Sequence, residues 1–492
     1  MKKHRVSNPK LNPLRFRRLG DVFLLTNDWG GFAFVSEDVF SRLVSGKLDS
    51  SHPKDQELID GGFSLEQGDR LHEAAVYRQR NEHLFIGPLL HIFVVTLRCD
   101  HTCVYCQAGR RPIQDTQYDM SEETASAALD IAFRSPSPSL TLEFQGGEPL
   151  AHFERVRQIV EGAKKRARET EKDLYFTLVT NLALMDEDKL HYLVDNGVQI
   201  CTSLDGPKDL HDKNRKGPGE SRYETTVRWM DRINEIYAKR GLDPDLAHVG
   251  ALLTVTRESL HRSRDLIDEY VARGLKVIHL RPLQPFGFAE KAWRAQSYSP
   301  EEYLRFYEEA LDHILDLNRK GVEILEKTAS LFATRIFTQR NVNYMDLRSP
   351  CGAGIGQLAY NYDGRVYTCD EGRMVGAMGD DLFCIGEVSS SSFTDIVRHE
   401  GVRSVCVASC LEGIPECSEC AYLPYCGVCP VFTYVTQGGL FPRTPTCERC
   451  QIQKGILDLL FERLRDGGSE VERLLKRWTI ERDRSSVYRS RT

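Results

Sequence analysis

Long apolar runs are missing from this 492-residue chain. No stretch reaches the roughly 18 apolar residues of a membrane span, and the N-terminal MKKHRVSNPKLNPLRFRR has no apolar segment behind its charges. The sequence therefore predicts neither a membrane helix nor a signal peptide, and we expect a cytoplasmic protein. Internal repeats of the solenoid type are missing too.

A concentrated basic patch is also missing. The chain has 65 Lys and Arg against 71 Asp and Glu, with a formal net charge of -6, and the two signs are interleaved. Charge that is spread in this way does not favour nucleic acid. We therefore expect neither a nucleic acid nor a membrane as a partner.

Cysteine, in contrast, is abundant, with fifteen residues in the chain. In a reducing compartment, clustered cysteines predict metal ligands or redox groups rather than disulfides. Three cysteines lie between residues 99 and 106, Cys201 stands alone, and eleven lie between residues 351 and 450. We expect two metal-bearing regions, one for each group, and a buried apolar role for Cys201.

Strand and helix patterns alternate from His91 to about Lys320, which is typical of repeated βα units around a parallel sheet. The six strand candidates are HIFVVTLRC, LTLEFQG, YFTLVTN, VQICTSLDG, HVGALLTVT and KVIHLRPLQ. The sequence thus predicts an α/β fold with an incomplete (β/α)6 barrel.

Four regions are predicted along the chain. Residues 1–85 form a small α+β module, in which LRFRRLGDVFLLTN and GGFAFVS make a hairpin turned by DWGG, before a short helix and a polar helical linker. Residues 86–325 form the partial barrel. Residues 326–452 form a cysteine-rich domain that metal organises, and residues 453–492 form a helical tail with a charged, frayed end.

The first cysteine group is the segment Cys99-DHT-Cys103-VY-Cys106, which directly follows the first barrel strand. Its three thiolates are expected at the C-terminal end of the strand, where the active sites of such barrels lie. Three thiolates leave one iron of a 4Fe-4S cluster open to a chelating ligand. A zinc site is the alternative, but the loop has no nearby fourth ligand other than His101 and fits zinc poorly.

With Tyr105 as its aromatic residue, this loop resembles the C-x3-C-x-aromatic-C motif of the radical SAM superfamily. The resemblance implies that Cys99, Cys103 and Cys106 hold the cluster, and that S-adenosylmethionine chelates the fourth iron through its amino and carboxylate groups. It also implies that Tyr105 packs beside the adenine, the alternative being an ordinary core tyrosine. An electron passed to the cofactor would release methionine and a 5'-deoxyadenosyl radical that abstracts hydrogen from a substrate.

The second predicted strand ends in Gly146-Gly147-Glu148-Pro149, which resembles the GGEP motif of the same superfamily. Two adjacent glycines allow the backbone to approach a ligand closely, and the carboxylate of Glu148 can accept from the methionine amine. A strand-ending turn is the alternative. The motif implies a binding rim for S-adenosylmethionine.

Three later residues complete this predicted rim. By similarity to peptide-modifying radical SAM enzymes, Asn181 and Ser203 contact the ribose or carboxylate of the cofactor, and Arg215 contacts its carboxylate. The structural alternatives are a cap or turn for Asn181 and Ser203 and a surface ion pair for Arg215.

The second cysteine group resembles the SPASM extension of radical SAM peptide maturases, which carries up to two auxiliary 4Fe-4S clusters. Its parts are Cys351-x17-Cys369, with a YDG turn suited to a hairpin, then Cys417-SE-Cys420-AYLPY-Cys426-GV-Cys429, and then Cys447. This sequence has two residues where the usual pattern has three before the fourth cysteine, which shifts the geometry of Cys429.

The resemblance assigns the cysteines to two auxiliary clusters. One is held by Cys417, Cys420, Cys426 and Cys447, and the other by Cys351, Cys369 and Cys429. The second set is one ligand short, so Cys384, Cys406 or Cys410 completes it, or its iron stays open to bind substrate. Cys450 competes with Cys447, and one or two structural zinc sites are the alternative.

The resemblance implies a maturase that modifies a peptide or small-protein side chain and takes electrons from a flavodoxin or ferredoxin type donor. RFRRLGDVFLLTNDWGGFAFVS is similar to the N-terminal module of the His-Xaa-Ser system maturases, B-type member. We expect residues 14–80 to bind the substrate's leader or a partner protein, or alternatively to cover apolar surface of the barrel.

Asp370 is a candidate base by similarity to sulfatase-maturing relatives, the alternative being a hydrogen bond near the cluster. The auxiliary clusters would accept the electron left on the substrate or bind the substrate. The rival functions are a sulfatase-type maturase that forms formylglycine and a non-catalytic iron-sulfur or zinc scaffold that binds peptides.

Overall fold

The computed structural model describes residues 11–65, 70–219, 221–287, 293, 295–338, 340–342 and 344–490. Its N-terminal module begins with a three-stranded antiparallel sheet in the order β1-β2-β3. The elements of the module are β1 (Leu14–Leu19), β2 (Val22–Asn27), β3 (Phe32–Val35), α1 (Glu37–Val44), α2 (Pro53–Asp60) and α3 (Arg70–Arg80).

The structure adds a turn to this module that the sequence prediction missed. LRFRRL and VFLLTN pair with each other around Gly20-Asp21, with Leu19 opposite Val22. Gly20 has a φ of +62°, which glycine adopts without strain in a two-residue hairpin turn. The predicted DWGG turn then joins β2 to β3, so the module has three strands instead of two.

All six predicted barrel regions form strands. The strands are β4 (Leu90–Thr96), β5 (Ser139–Gly146), β6 (Asp173–Val179), β7 (Val198–Ser203), β8 (Gly250–Thr254), β9 (Val277–Ile278) and β10 (Leu280–Arg281), and β11 (Leu325–Glu326) lies outside the predicted regions. Strands β4 to β8 pair in parallel in chain order, and β10 follows β8. The last predicted strand is divided, because its first half, β9, pairs with β11 instead.

Helices connect these strands, as the sequence pattern predicts. They are α4 (Glu122–Ala132), α5 (Phe153–Thr170), α6 (Glu187–Asp195), α7 (Lys208–Asn214), α8 (Arg222–Lys239), α9 (Ser263–Ala272), α10 (Pro300–Arg319) and α11 (Lys327–Phe337). Helix α4 is capped by Ser121, whose hydroxyl accepts from the Thr124 amide. The α/β fold with a parallel sheet core is confirmed.

The cysteine-rich region continues the barrel sheet. Its elements are β12 (Gln357–Tyr360), β13 (Arg365–Tyr367), α12 (Asp370–Ala377), β14 (Cys384–Glu387), α13 (Phe393–Val397), α14 (Glu400–Ser409) and α15 (Pro430–Gln437). Helix α16 (Glu448–Trp478) leads from this region into the tail, which ends with α17 (Ser485–Tyr488). Strand β12 pairs in parallel with β4 and in an antiparallel manner with β13, through the predicted YDG turn. A single sheet of nine strands therefore joins both cysteine regions.

The long helix α16, which has a kink at Gly468, packs on α10 and α11, and it also contacts the N-terminal module. Arg17 forms an ion pair with Asp458 at 2.6 Å, and the Phe32 ring lies 5.3 Å from the Phe461 ring. These contacts connect the start of the chain to its last long helix.

The C-terminal end was predicted to be frayed, and this prediction is wrong for the residues up to Ser490, which pack on the barrel. Tyr488 is buried, and the Ser490 amide donates to the Leu174 carbonyl at 2.9 Å, because the tail adds a bridge to the start of β6. None of the helices within the described parts of the chain combines a membrane-spanning length with an apolar composition.

Candidate active site

The loop with Cys99, Cys103 and Cys106 leaves the C-terminal end of β4, as predicted, and all three cysteines are half-buried. Backbone hydrogen bonds attach this loop to distant parts of the chain: the Cys99 amide donates to Arg111 and the Val104 amide donates to Asn214. The loop therefore has a fixed position at the edge of the sheet.

Gly146 and Gly147 are needed because the end of β5 touches this loop. A Cβ on Gly146 would lie 2.0 Å from the Thr96 carbonyl oxygen, and one on Gly147 would lie 2.3 Å from that of Arg98. Gly146 also has a φ of +135°, which only glycine adopts readily. The close approach seen here is to the backbone of the cysteine loop, a structural requirement that the motif alone does not reveal.

Glu148 is a buried carboxylate that joins the ends of three segments. It accepts from Thr180 Oγ1 and the Asn181 amide, both at 2.7 Å, and from the Leu150 amide at 3.0 Å, where Pro149 opens a short 3-10 helix. Burial raises the pKa of Glu148 to about 7, although these hydrogen bonds lower it. A carboxylate has about four acceptor positions, so one remains for a ligand.

Asn181 lies against the cysteine loop. Its Nδ2 is 2.9 Å from Asp100 Oδ1, 2.6 Å from His101 Nδ1 and 3.8 Å from Cys99 Sγ. Burial acts to raise the pKa of Asp100, but the hydrogen bonds from His101 and Asn181 lower it below its usual value. The residues Asp100 and His101 are thus part of the site, and sequence reasoning gave neither a positive role.

Arg215 forms a buried ion pair rather than the surface pair that was the alternative. Its Nε donates to Asp205 Oδ2 at 3.0 Å, and its Nη1 is 3.9 Å from Cys103 Sγ. The Tyr105 hydroxyl donates to the same Asp205 oxygen at 2.6 Å, under the Arg215 guanidinium. Asp205 is therefore a central residue, and its only signal in the sequence was its place after a predicted strand.

The positive charge of Arg215 affects the pKa of the neighbouring thiol, that of Cys103. Burial raises the pKa of the Cys103 thiol to about 12, while the Arg215 charge lowers it. Burial and the charge of Glu148 raise the pKa of Cys99. These thiols stay protonated until a metal replaces the proton.

Polar side chains occupy the half-buried face of the barrel strands. Ser203 and Cys201 share this face on β7, so Cys201 is not the fully buried residue that we expected. Thr177 Oγ1 donates to Glu143 Oε2 at 3.1 Å, and Cys201 lies within electrostatic range of Glu143 and Arg281. This polar face of the strands is suited to a polar group of a substrate.

Asp370 follows Cys369, begins α12 and lies within electrostatic range of Glu143. Its Oδ1 accepts from Arg373 Nε at 2.8 Å, and Arg373 Nη1 donates to the Ala108 carbonyl at 3.0 Å. Arg373 is 1% exposed, and within the described structure its Nη2 has no hydrogen-bond partner. The arginine thus holds the cysteine loop and the cysteine-rich region together.

The second cysteine group converges around a cavity. Its lining includes Cys417, Cys420, Cys426, Cys429, Cys447 and Cys450. Cys351, Cys369 and Cys429 interact electrostatically in all three pairs. All the predicted auxiliary ligands therefore come together.

The spacing of the thiols fits iron-sulfur clusters better than zinc. Four sulfurs around one zinc lie about 3.8 Å apart, given Zn–S bonds of about 2.3 Å. In the described structure, the one group of three candidate ligand atoms within 4.8 Å is Cys99, Asp100 and His101, so no set of thiols forms a zinc tetrahedron. A cluster spaces its thiolates more widely, because each binds a different iron.

A model of the radical SAM superfamily matches residues 93–243, which include the cysteine loop, the glycine pair and Arg215. The chain is a radical SAM enzyme. This radical SAM enzyme uses a 4Fe-4S cluster and S-adenosylmethionine, and the residues around the cysteine loop fit both.

Relatives and solved structures resemble much of this radical SAM enzyme. A protein of unknown function from Archaeoglobus fulgidus is 24% identical over 393 residues, covering 77% of this chain and 86% of the relative. The cysteine-type anaerobic sulfatase-maturating enzyme of Clostridium perfringens is 23% identical over 375 residues, covering 73% and 89%.

The structure of native anSMEcpe with bound AdoMet has a TM-score of 0.62 at 19% identity, covering 77% of this chain and 98% of that one. Streptococcus suis SuiB, bound to its precursor peptide SuiA, has a TM-score of 0.53 at 14% identity, covering 88% and 98%. These similarities establish a shared fold.

Proposed function

We propose that this radical SAM enzyme is a maturase that modifies a side chain of a peptide or small protein, and that its substrate is the precursor of a His-Xaa-Ser system. The observation that carries the proposal is the Arg373 bridge, which joins Asp370 to the segment that follows the cysteine loop, with Asp370 within electrostatic range of Glu143 on the polar face of the barrel strands. The names of the Clostridium and Streptococcus proteins, which mature a sulfatase and bind a precursor peptide, support it.

In this proposal, Cys99, Cys103 and Cys106 hold the cluster that binds S-adenosylmethionine. When bound, the two groups supply a 5'-deoxyadenosyl radical that abstracts a hydrogen atom. Glu148 accepts from the amino group of the cofactor, and its fixed hydrogen bonds orient it for this.

The cofactor rim includes further residues. Gly146, Gly147 and Pro149 shape its edge, Asn181 and Ser203 contact the ribose or carboxylate, and Arg215 contacts the carboxylate. Tyr105 packs beside the adenine, with its hydroxyl fixed by Asp205.

Asp370 is the proposed base. Its Oδ1 is taken by Arg373, so Oδ2 is the oxygen that would accept a proton from the substrate. Glu371 and Glu143, whose pKa values are raised above normal mainly by burial, lie in the same charged environment with Arg281. This acidic group of side chains would orient a substrate group that donates hydrogen bonds.

We propose that residues 14–80 bind the leader of the substrate. A groove of about 580 Å³ lies between α3 and the cysteine-rich region, lined by Trp29, Tyr77, Glu412 and Leu423 among others. Tyr77 is 46% exposed there. The module also covers apolar surface, since Phe32 packs on Phe461, so we propose that the module has both roles.

Point variants test recognition better than deletion, because deletion would expose the Phe461 surface. Tyr77→Ala should weaken peptide binding and modification without changing peptide-free cleavage of S-adenosylmethionine, whereas Lys47→Ala, on an exposed part of the same module, should change neither. Unchanged peptide affinity in Tyr77→Ala, measured by fluorescence anisotropy, would refute the groove.

The function as a whole is tested by anaerobic reconstitution with a reductant, S-adenosylmethionine and candidate peptides. We expect 5'-deoxyadenosine in the wild type, none in the Cys99, Cys103 and Cys106 triple alanine variant, and a mass change in a peptide with repeated His-Xaa-Ser. A short reading frame of that kind beside the gene would provide the peptide. A triple variant that forms 5'-deoxyadenosine at the wild-type rate would sink the site assignment.

Formylglycine formation is the second candidate, favoured by the position of Asp370 directly after Cys369 and by the sulfatase-maturating relative. It predicts an aldehyde, detectable with a hydrazide probe, on a cysteine-containing sulfatase peptide. That product, without modification of the His-Xaa-Ser peptide, would replace our first proposal.

A further inference from the structure

Burial divides the cysteines of the C-terminal region into two sets. The structure describes all fifteen cysteines, and only four are buried: Cys351, Cys369, Cys429 and Cys447. These four are buried members of one apolar core cluster, whereas Cys384 and Cys450 pack against its edge. Cys417, Cys420, Cys426 and Cys450 are half-buried instead.

Helix caps support the same division. Cys369, Cys429 and Cys447 each occupy the N-cap of a helix, namely α12, α15 and α16. The thiols of Cys369 and Cys429 accept from the amides of Gly372 and Phe432. Three helix N-termini therefore surround this buried set, which favours the negative charge of thiolates and a cluster.

Cys450 belongs to the half-buried set by its contacts. Each of the six pairs among Cys417, Cys420, Cys426 and Cys450 is an electrostatic contact between thiols. These four line one cavity, which Cys429 and Cys447 also line, so the pairwise contacts and not the cavity distinguish the set. Cys447 reaches two members of this set, Cys417 and Cys450, because it lies at the boundary, but it is 4% exposed and packs with the buried set.

We propose that Cys450, and not Cys447, completes the cluster held by Cys417, Cys420 and Cys426, and that Cys447 completes the cluster held by Cys351, Cys369 and Cys429. The motif Cys447-x2-Cys450 is thus shared between two metal sites. Both auxiliary clusters then have four thiolates, so neither leaves an iron open to bind substrate. The proposal rests on the proposed function only in taking iron-sulfur clusters as the occupants.

The other cysteines have contacts elsewhere. Cys384 Sγ contacts the Gly386 carbonyl at 3.7 Å, Cys410 Sγ lies 3.4 Å from Glu412 Oε2, and Cys406 interacts with Cys410. Cys447 fills the position for which these three residues were the expected candidates.

The test is an iron count in a chain that lacks the first cluster. In the Cys99, Cys103 and Cys106 triple alanine variant, reconstituted anaerobically, we expect about eight irons from two clusters. Cys447→Ser and Cys450→Ser should each remove about four. In a Cys417→Ser/Cys420→Ser background with about four irons left, adding Cys450→Ser should remove no more, whereas adding Cys447→Ser should remove the remainder. Cys410→Ser is the matched control and should keep all eight.

The opposite pattern, in which Cys447→Ser adds nothing to Cys417→Ser/Cys420→Ser, would overturn the assignment, as would zinc in place of iron. Where a combined variant does not fold, electron paramagnetic resonance of the reduced single variants gives the answer. Cys450→Ser should change the same cluster signal as Cys417→Ser. Cys447→Ser should change the same cluster signal as Cys369→Ser. Iron counts require neither a peptide nor cofactor cleavage, so failure of the proposed function leaves them readable.

Discussion

The two cysteine regions are built in opposite ways. The first places three half-buried thiols on one loop of eight residues, between Cys99 and Cys106, and holds that loop with hydrogen bonds from Asn181 and Arg215. The second collects thiols from three helix caps and several turns across one hundred residues, from Cys351 to Cys450. One region is a local chelate, and the other is assembled by the fold.

Because of this difference, we expect the two cysteine regions to contribute unequally to the reaction and to the stability of the fold. Ligands that are close in sequence restrict the unfolded chain little, whereas a metal clip between distant residues removes much loop entropy. We therefore expect the first cluster to matter for the reaction and the auxiliary clusters to matter for the fold.

The largest effect should come from replacing Cys99, Cys103 and Cys106 with alanine. Formation of 5'-deoxyadenosine should fall to background, while auxiliary iron and the thermal midpoint stay close to wild type, since the loop closes no long segment. Chromatographic assay, iron analysis and calorimetry check this. Complete loss of iron together with unfolding would contradict the separation.

Cys429→Ser should have the next largest effect, which is a loss in the free energy of unfolding. Cys351 and Cys429 close a loop of about 80 residues, for which the closure entropy is on the order of 4 kcal/mol. Cys99→Ser, the matched variant in the first region, should cost less than about 1 kcal/mol. Chemical denaturation under anaerobic conditions compares the two, and equal costs would break the comparison.

Arg373→Met should weaken the connection between the regions. It leaves Asp370 as an unpaired buried carboxylate, with an expected cost of about 3 kcal/mol. Arg319→Met, in an exposed ion pair with Asp316, should cost about 0–1 kcal/mol. Denaturation midpoints of the two variants give the answer, and a small loss for Arg373→Met would show that the regions dock independently.

The smallest effect concerns pH. Glu148, with a pKa of about 7 in the folded chain, is ionised only above that pH, and the ionised form accepts better from an amine. Affinity for S-adenosylmethionine should therefore be constant above about pH 7 and fall by up to about tenfold for each pH unit below it. In Glu148→Gln the affinity should not change with pH. Titration calorimetry across pH 5.5–8 would contradict this if both proteins gave parallel curves.

The sequence could predict those features that depend on residues close to one another along the chain. The barrel strands, the cap at Ser121 and the loop with Cys99 all follow from periodicity or spacing within one segment. Asp205 and Arg373 could not be predicted, because their roles come from partners about 100 and 265 residues away, Tyr105 and Ala108.

The sequence also could not predict which thiols bind which auxiliary cluster, because that too depends on contacts between distant residues. Spacing leaves Cys450 as a competitor of Cys447, and the burial and thiol contacts of the two residues in the folded chain distinguish them. The roles of the cofactor rim and the boundaries at residues 85, 325 and 452 stay predictions.

The contact between Phe32 and Phe461 determines how late in translation the enzyme can complete its fold. A ribosome that adds about 5–20 residues per second needs roughly 20 to 90 seconds to travel from one to the other. During that time β3 has made its turn but has no surface to cover, and Cys351 and Cys369 have emerged well before Cys447 and Cys450. Cluster delivery to the auxiliary sites must therefore wait for the last tenth of translation, while the loop with Cys99 is available for iron from the first quarter onwards.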